Sequence, residues 1–163
     1  MKSSYEVRAK KFLEQVLPFI AGCMTLNDYE GAIACYNEQY NRHVHVAHGQ
    51  TRIALITSDY VIKLNYGDKA KYWGNNQSEY RTYQKAVADG FGYLFAPITK
   101  VKVSRRVFYI MPKVTGIGRS HHDVDCYLTP EENYWVKEHC WDLHCYNYGW
   151  SKGKPVIIDY AAH

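Results

Sequence analysis

The 163-residue chain lacks a long apolar run. Its longest apolar stretch, residues 16–24, is far shorter than the roughly 20 residues that a membrane-spanning helix needs. The N-terminal segment also lacks the order of basic, apolar and small residues that marks a signal peptide. We therefore expect a protein that makes no use of a membrane and works in the cytoplasm, or in the host cytoplasm if the chain is viral.

The cysteines form no regular framework. The five cysteines are an odd number, and no two form the C-x-x-C pair of a zinc finger or redox site, so free thiols of a reducing compartment are the simplest interpretation. A structural zinc site remains an alternative, because one cluster of cysteines and histidines could hold the metal. Its members are Cys126, His139, Cys140, His144 and Cys145, with His121 and His122 nearby. A nucleophilic pair of His144 and Cys145 is a further alternative, although neighbours in sequence need not face each other.

Internal repeats, low-complexity segments and interdomain linkers are also missing, which predicts a single domain. An apolar fraction of 47% with 22% charged residues is typical of a globular protein. The net charge of +4 suits a phosphate-bearing ligand, but the basic residues are scattered, which argues against nucleic-acid binding. The 16 tyrosines suit half-buried strands and protein interfaces alike.

Helical periodicity and start signals are present in four segments. Asn27 with Glu30, and Thr129 with Glu132, have the spacing of a capping box, in which a side chain and a backbone N–H bond reciprocally. In the third segment we expect Tyr80, Tyr83 and Val87 in the core. The segment also contains Glu79, which by itself indicates little, because a lone helical glutamate is usually solvated. The predicted helices cover residues 3–21, 27–40, 71–88 and 130–139.

Between these helices the apolar period changes to two, which is typical of half-buried strands. The pattern predicts a three-stranded meander followed by a hairpin that turns at Ser104 and Arg105, with Pro112 breaking its second strand. Together they imply an α+β fold with a five-stranded antiparallel sheet and the 71–88 helix packed on it. The predicted strands cover residues 43–47, 51–57, 60–64, 95–103 and 106–111.

The last quarter of the chain contains the polar residues of most chemical interest. Asp142 is followed five positions later by Asn147, and a Gly/Ser/Lys-rich turn then leads into a short β-branched strand closed by Asp159. Two acids and an amide brought together by one hairpin are the groups that phosphoryl transfer uses. The alternative is an ordinary polar loop before a strand.

The order of these features resembles the protein-kinase-like superfamily. A strand lysine, Lys63, precedes a helix glutamate, Glu79, and residues 142–149 form a D-L-H-x-x-N-x-G motif. The resemblance covers residues 49–159 and is closest to short kinase-like proteins of bacteriophages and bacteria and to aminoglycoside and choline kinases. It implies one minimal domain with an N-terminal helical extension, an N-terminal lobe and a reduced C-terminal lobe. These parts would be residues 1–42, 43–114 and 115–163.

The resemblance also implies ATP and Mg²⁺ as ligands. Lys63 would contact the α- and β-phosphates, and Glu79 would pair with it and hold it in place. Asp142 would act as the catalytic acid–base, while Asn147 and Asp159 would bind Mg²⁺. The nucleotide's other contacts would come from the phosphate-covering loop at Gly49, from Met111 beside the adenine, and from the hinge residues Pro112 and Val114.

The sequence departs from the kinase pattern at several points. The phosphate-covering loop keeps a single glycine, Cys140 stands where protein kinases carry histidine, and residues 160–161 replace the Phe-Gly that follows the metal-binding aspartate. No counterpart of the activation segment or of the peptide-binding helices follows Asp159. We expect the two extra N-terminal helices to pack where that mass is missing. The alternative function is an inert kinase-fold scaffold that sequesters a partner protein, such as a host enzyme, through its tyrosine-rich surface.

Overall fold

The computed structural model describes residues 4–49, 52–65, 76–116, 127–140, 143 and 145–159. These residues form four α-helices, a five-stranded antiparallel sheet and a separate two-stranded hairpin, which confirms the α+β class. The chain divides into two compact units. The sheet unit comprises Met1–Asn75 and Ile98–Lys113, and the hairpin unit comprises Asn76–Pro97 and Val114–His163. This division places the two N-terminal helices with the sheet and the third helix with the hairpin.

Among the described residues, the sheet unit contains two α-helices and five strands. Helix α1 spans Ser4–Ile20, and α2 spans Leu26–Tyr40. The antiparallel strand order β1-β2-β3-β5-β4 confirms the predicted sheet, with the meander and the hairpin joined through β3 and β5. The strands are β1 at His45–His48, β2 at Arg52–Ile56, β3 at Tyr60–Asn65, β4 at Thr99–Val103 and β5 at Arg106–Pro112.

Alternation along the strands gives the sheet one apolar face. Leu55, Ile62 and Ile110 lie side by side on β2, β3 and β5 and are fully buried. Leu13 of α1 and Tyr36 of α2 belong to the same core. The expectation that α1 and α2 replace a missing C-terminal lobe is therefore wrong, because their apolar stripes cover this face of the sheet. We expected the third helix to be the sheet's packed helix, but it belongs to the hairpin unit.

Helix α2 begins at a different cap from the predicted one. Thr25 is the N-cap: its hydroxyl accepts from the N–H of Asp28 at 3.2 Å, and the Asp28 carboxylate accepts from the N–H of Thr25 at 2.7 Å. Backbone N–H groups of Met24 and Thr25 hold the pKa of Asp28 below its usual range. Thr25 and Asp28 have the same three-residue spacing as Asn27 and Glu30, so the sequence contained two overlapping start signals.

Replacing Thr25 with alanine is expected to cost about 1 kcal/mol of stability, because it removes the acceptor for an orphan backbone N–H. The matched control is Asn27→Ala, which removes an exposed side chain inside the helix and is expected to be nearly neutral. Urea unfolding followed by circular dichroism measures both. A larger loss for Asn27→Ala than for Thr25→Ala would contradict the assignment of the cap.

The sequence predicted that Pro112 breaks the strand after Met111, but Pro112 is the last residue of β5 and pairs with Tyr60. The next N–H, that of Lys113, donates to the carbonyl of Asp59 at 2.8 Å, so the nitrogen of Pro112 points to the other side of the strand. In the described part of the chain, β4 pairs with β5 only as far as Ile110. Proline is therefore tolerated here because its nitrogen faces away from the pairing strand.

Where the structure describes it, the hairpin unit contains two α-helices and one β-hairpin. Helix α4 begins as predicted, with Thr129 and Glu132 forming a capping box and a proline in the first turn. The Glu132 carboxylate also accepts a hydrogen bond from the hydroxyl of Tyr93. No helix in the described ranges is long and apolar enough to cross a bilayer. The elements are α3 at Asn76–Ala88, α4 at Pro130–His139, β6 at Tyr148–Ser151 and β7 at Lys154–Ile157.

Two extended segments hold the hairpin on either side. On the β7 side, the N–H of Ala96 donates to the carbonyl of Ile157 at 2.8 Å. On the β6 side, Thr115 and Trp150 exchange two backbone hydrogen bonds, at 3.1 and 2.7 Å. Because both edges are bonded, the hairpin has a fixed position within its unit.

Candidate functional site

Lys63 lies on β3, the third strand of the sheet, between Ala54 on β2 and Tyr109 on β5. Its neighbour Ile62 is fully buried in the core with α1 and α2. Since successive strand residues point to opposite faces, Lys63 projects from the other face of the sheet. The Lys63 residue is half-buried on that face.

Glu79 lies in the first turn of α3 and is only 1% exposed. The buried stripe of this helix is completed by Asn76, Thr82 and Ala86, whereas Val87 is 53% exposed. The prediction that Val87 lies in the core is therefore wrong, and Glu79 differs from the usual solvated helical glutamate. A glutamate is almost never fully buried unless its charge is compensated, so the burial of Glu79 singles it out from ordinary helix-surface acids.

Asn147 and Asp159 lie at the open end of the hairpin, which is the end opposite its Lys152–Gly153 turn. Asn147 directly precedes β6 and is 8% exposed. The backbone carbonyl of Asn147 accepts a hydrogen bond from the backbone N–H of Ile158 at 2.8 Å, and Asp159 is the next residue along the chain. The structure therefore brings the predicted metal-binding amide and carboxylate to the same end of one hairpin, and both are oxygen donors of the kind that Mg²⁺ prefers.

The other predicted site residues are distributed over both units. Asp142 lies outside the described residues. Gly49 is exposed after β1, where its N–H donates to the carbonyl of Arg52 at 2.9 Å. Met111 is 4% exposed on β5, and Val114 is buried in the hairpin unit.

Gly149, the last residue of the D-L-H-x-x-N-x-G motif, has a packing reason to be glycine. A β-carbon at this position would lie 2.3 Å from Cγ2 of Val114 and 3.4 Å from the carbonyl oxygen of Thr115. The close approach accompanies the backbone pairing of Thr115 with Trp150. Sequence reasoning missed this contact, although the glycine two positions after Asn147 was the available signal.

The structure describes the side chains of two residues of the alternative zinc site, Cys140 and His139, and each packs against protein groups. Burial raises the pKa of the Cys140 thiol to about 12. The His139 ring stacks on Trp135 with centroids 4.2 Å apart, and its Nδ1 lies 2.8 Å from the Trp135 carbonyl oxygen. Across the described residues, no group of three or more His, Cys, Asp or Glu side chains is placed to hold a metal ion. The remaining candidates fall outside the described part: Cys126, His144, His121, His122 and the side chain of Cys145.

Comparison with models of protein families, with curated proteins and with solved structures finds no match for this chain.

Proposed function

We propose that the chain is a compact kinase-fold protein that binds ATP with Mg²⁺ and transfers a phosphoryl group to a hydroxyl of a protein or small molecule. The observation that supports this most directly is the position of Asn147 and Asp159 at the open end of the hairpin. A second support is independent of the first. A half-buried lysine on the third sheet strand is followed by a fully buried glutamate in the first turn of the next helix. Protein kinases carry their phosphate-contacting lysine and its glutamate partner in this order.

Each residue has a definite role in the proposed reaction. Lys63 offsets charge on the α- and β-phosphates, and Glu79 restrains the lysine. Asn147 and Asp159 hold Mg²⁺, which neutralises the charge that develops on the phosphates. Asp142 orients the acceptor hydroxyl and accepts its proton while the new oxygen–phosphorus bond forms and the bond to the ADP oxygen breaks.

The burial of Glu79 fits this role better than a solvated carboxylate would. An ion pair between exposed side chains contributes about 0–1 kcal/mol and restrains neither partner firmly. A carboxylate removed from water interacts more strongly with a cation, because the local dielectric constant is lower.

Replacing Lys63 with alanine is expected to weaken the binding of ATP with Mg²⁺ by at least about tenfold, because a charge-assisted hydrogen bond contributes about 1.5–3 kcal/mol. Lys102→Ala is the matched control, since Lys102 is an exposed lysine on strand β4. Titration calorimetry measures affinity, and thermal shift with ATP and Mg²⁺ reports binding to the folded state. Unchanged affinity in a well-folded Lys63→Ala protein would rule out the proposed role.

A binding protein without turnover is the second candidate, and exposed tyrosines favour it. Tyr93, Tyr127, Tyr134 and Tyr146 all belong to the hairpin unit and are 65%, 49%, 69% and 65% exposed. Tyrosine is enriched at protein interfaces because it combines a large apolar area with a polar tip. This candidate replaces the first if the parent protein shows no nucleotide-dependent signal and its biological effect survives loss of Asp159.

A further inference from the structure

The sheet unit contains a pocket of about 530 Å³ that involves none of the predicted nucleotide-site residues. Three segments that are distant in sequence line it: one side of α1, the chain that leaves α2, and the turn between β2 and β3. This volume lies within the range of about 300–1,000 Å³ that is usual for small-molecule sites.

The polar wall of the pocket is predominantly cationic. It contains Arg8, Lys11 and Arg42 but only one carboxylate, that of Asp59. Arg8 and Asp59 form an ion pair at 2.8 Å and so compensate each other. Within the described part of the chain, Lys11 and Arg42 have no acidic partner. Two positive charges are therefore available to a ligand.

The apolar wall of the same pocket is aromatic. Phe12 makes edge-to-face contacts with Tyr36 and Tyr60, with ring centroids 5.4 and 6.1 Å apart. Burial raises the pKa of Tyr60 to about 12 and also raises that of Tyr36, so both hydroxyls stay neutral. The Tyr36 hydroxyl donates to the side-chain carbonyl of Gln15 at 3.3 Å.

The segment that carries Arg42 is fixed by local hydrogen bonds. The Asn37 side chain bonds both the N–H and the carbonyl of Val44, each at 2.9 Å. Asn41 ends the helix in the left-handed conformation, with φ of 48°, and the N–H of Arg42 donates to the carbonyl of Asn37. The backbone on this side of the pocket is therefore held in place without a ligand.

We propose that this pocket binds a small phosphate monoester that carries a planar ring, with Lys11 and Arg42 on the phosphate and the aromatic wall against the ring. A phosphate monoester carries a charge of about −1.5 to −2 near pH 7, which matches the two available cations. The planar guanidinium of Arg42 can donate two parallel hydrogen bonds to phosphate oxygens. Aromatic pairs add about 0.5–1.5 kcal/mol beyond the area that they bury, so the ring contributes in addition to the phosphate.

The test uses phenyl phosphate as the probe, titrated into the full chain and followed by calorimetry and by amide chemical shifts. We expect saturable binding that perturbs the signals of Arg42, Val44 and Ser58. Phenol and inorganic phosphate, which each carry one half of the probe, are expected to bind at least about tenfold more weakly, because each loses one set of contacts.

Three variants separate the pocket from general electrostatic attraction. Lys11→Gln and Arg42→Gln are each expected to weaken phenyl phosphate binding by about tenfold, in line with the loss of a charge-assisted hydrogen bond. Lys10→Gln is the matched control: it removes the same charge one residue away on α1, from a lysine that lies outside the pocket lining and 3.9 Å from Glu14. Equal losses in Lys10→Gln and Lys11→Gln would overturn the site.

The chemical class is tested in the same way. Benzoate that binds as tightly as phenyl phosphate would overturn the preference for phosphate, and phenol that does so would overturn the role of the cations. Absence of saturable binding would overturn the proposal as a whole. The affinity for ATP is expected to be unchanged in Lys11→Gln, so this site and the proposed nucleotide site succeed or fail separately. Displacement of phenyl phosphate by ATP would show that the pocket is not a separate site.

Discussion

Replacing Asp159 with asparagine is expected to reduce nucleotide-dependent phosphoryl transfer by about 10²–10³-fold, because in the proposed function the charge of this carboxylate holds Mg²⁺ against the phosphates. Replacing Asp142 with asparagine is expected to cost about 10²–10⁴-fold, the usual contribution of a general base. Both changes are nearly isosteric, so they remove charge while largely preserving packing. The assay measures transfer of the γ-phosphoryl group and ATP hydrolysis with Mg²⁺ or Mn²⁺.

Glu138→Gln is the control for these two variants, because Glu138 is an exposed carboxylate on α4 of the same unit. It is expected to keep full activity. Urea unfolding of all three proteins shows whether a loss of transfer reflects chemistry or folding. Folded Asp142→Asn and Asp159→Asn proteins with parental activity would contradict the assigned roles.

The largest effect on stability is expected at Gly149. Alanine there would place a β-carbon 2.3 Å from Cγ2 of Val114, so either the side chain or the backbone of the hairpin must shift. Overpacking of this kind costs about 1–3 kcal/mol. Thermal and urea unfolding of Gly149→Ala measure the loss, and the same variant is expected to bind the nucleotide more weakly because Asn147 lies two residues away.

A double-mutant cycle identifies the cause of that loss. Val114→Ala removes the methyl groups that the new β-carbon would meet, so Gly149→Ala is expected to cost less in the Val114→Ala background than in the parent. Gly31→Ala is the control for the glycine-to-alanine change itself. Gly31 lies inside α2 with open space around it, and alanine there is expected to stabilise the protein by about 0.5–1 kcal/mol. Strict additivity of the losses at Gly149 and Val114 would show that the contact is not the cause.

The sheet and α4 were predictable because their signals are local. Alternation over five segments gave the strands, and the cap at Thr129 gave the start of α4. The errors arose where tertiary surroundings decide the outcome. Pro112 remains paired with β3 as the last residue of β5, because its nitrogen faces away from β3. The sequence of one strand does not show which of its two sides is paired at a given residue. The exposure of Val87 likewise depends on which face of α3 is covered.

The candidate site was predictable only in part. A tight turn between two short strands necessarily brings the residues that flank them together, so Asn147 and Asp159 could be placed at one end from the sequence. The cationic pocket could not. The pocket collects Arg8 and Lys11, which lie among other charged residues of α1, and Arg42, which is distant in sequence. Their scattered positions in the sequence gave no sign that folding brings them to one cavity.

The central claim is that a divalent metal and ATP bind at the open end of the hairpin, and paramagnetic broadening tests it most directly. Mn²⁺ added in trace amounts with ATP broadens amide signals with an effect that falls steeply with distance. The four-residue strands separate the open end from the Lys152–Gly153 turn by roughly 13 Å at about 3.3 Å per residue. We expect the strongest broadening at Asn147, Ile158 and Asp159, the weakest at the turn, and none of this pattern in Asp159→Asn. Uniform broadening, or none that depends on ATP, would contradict the account.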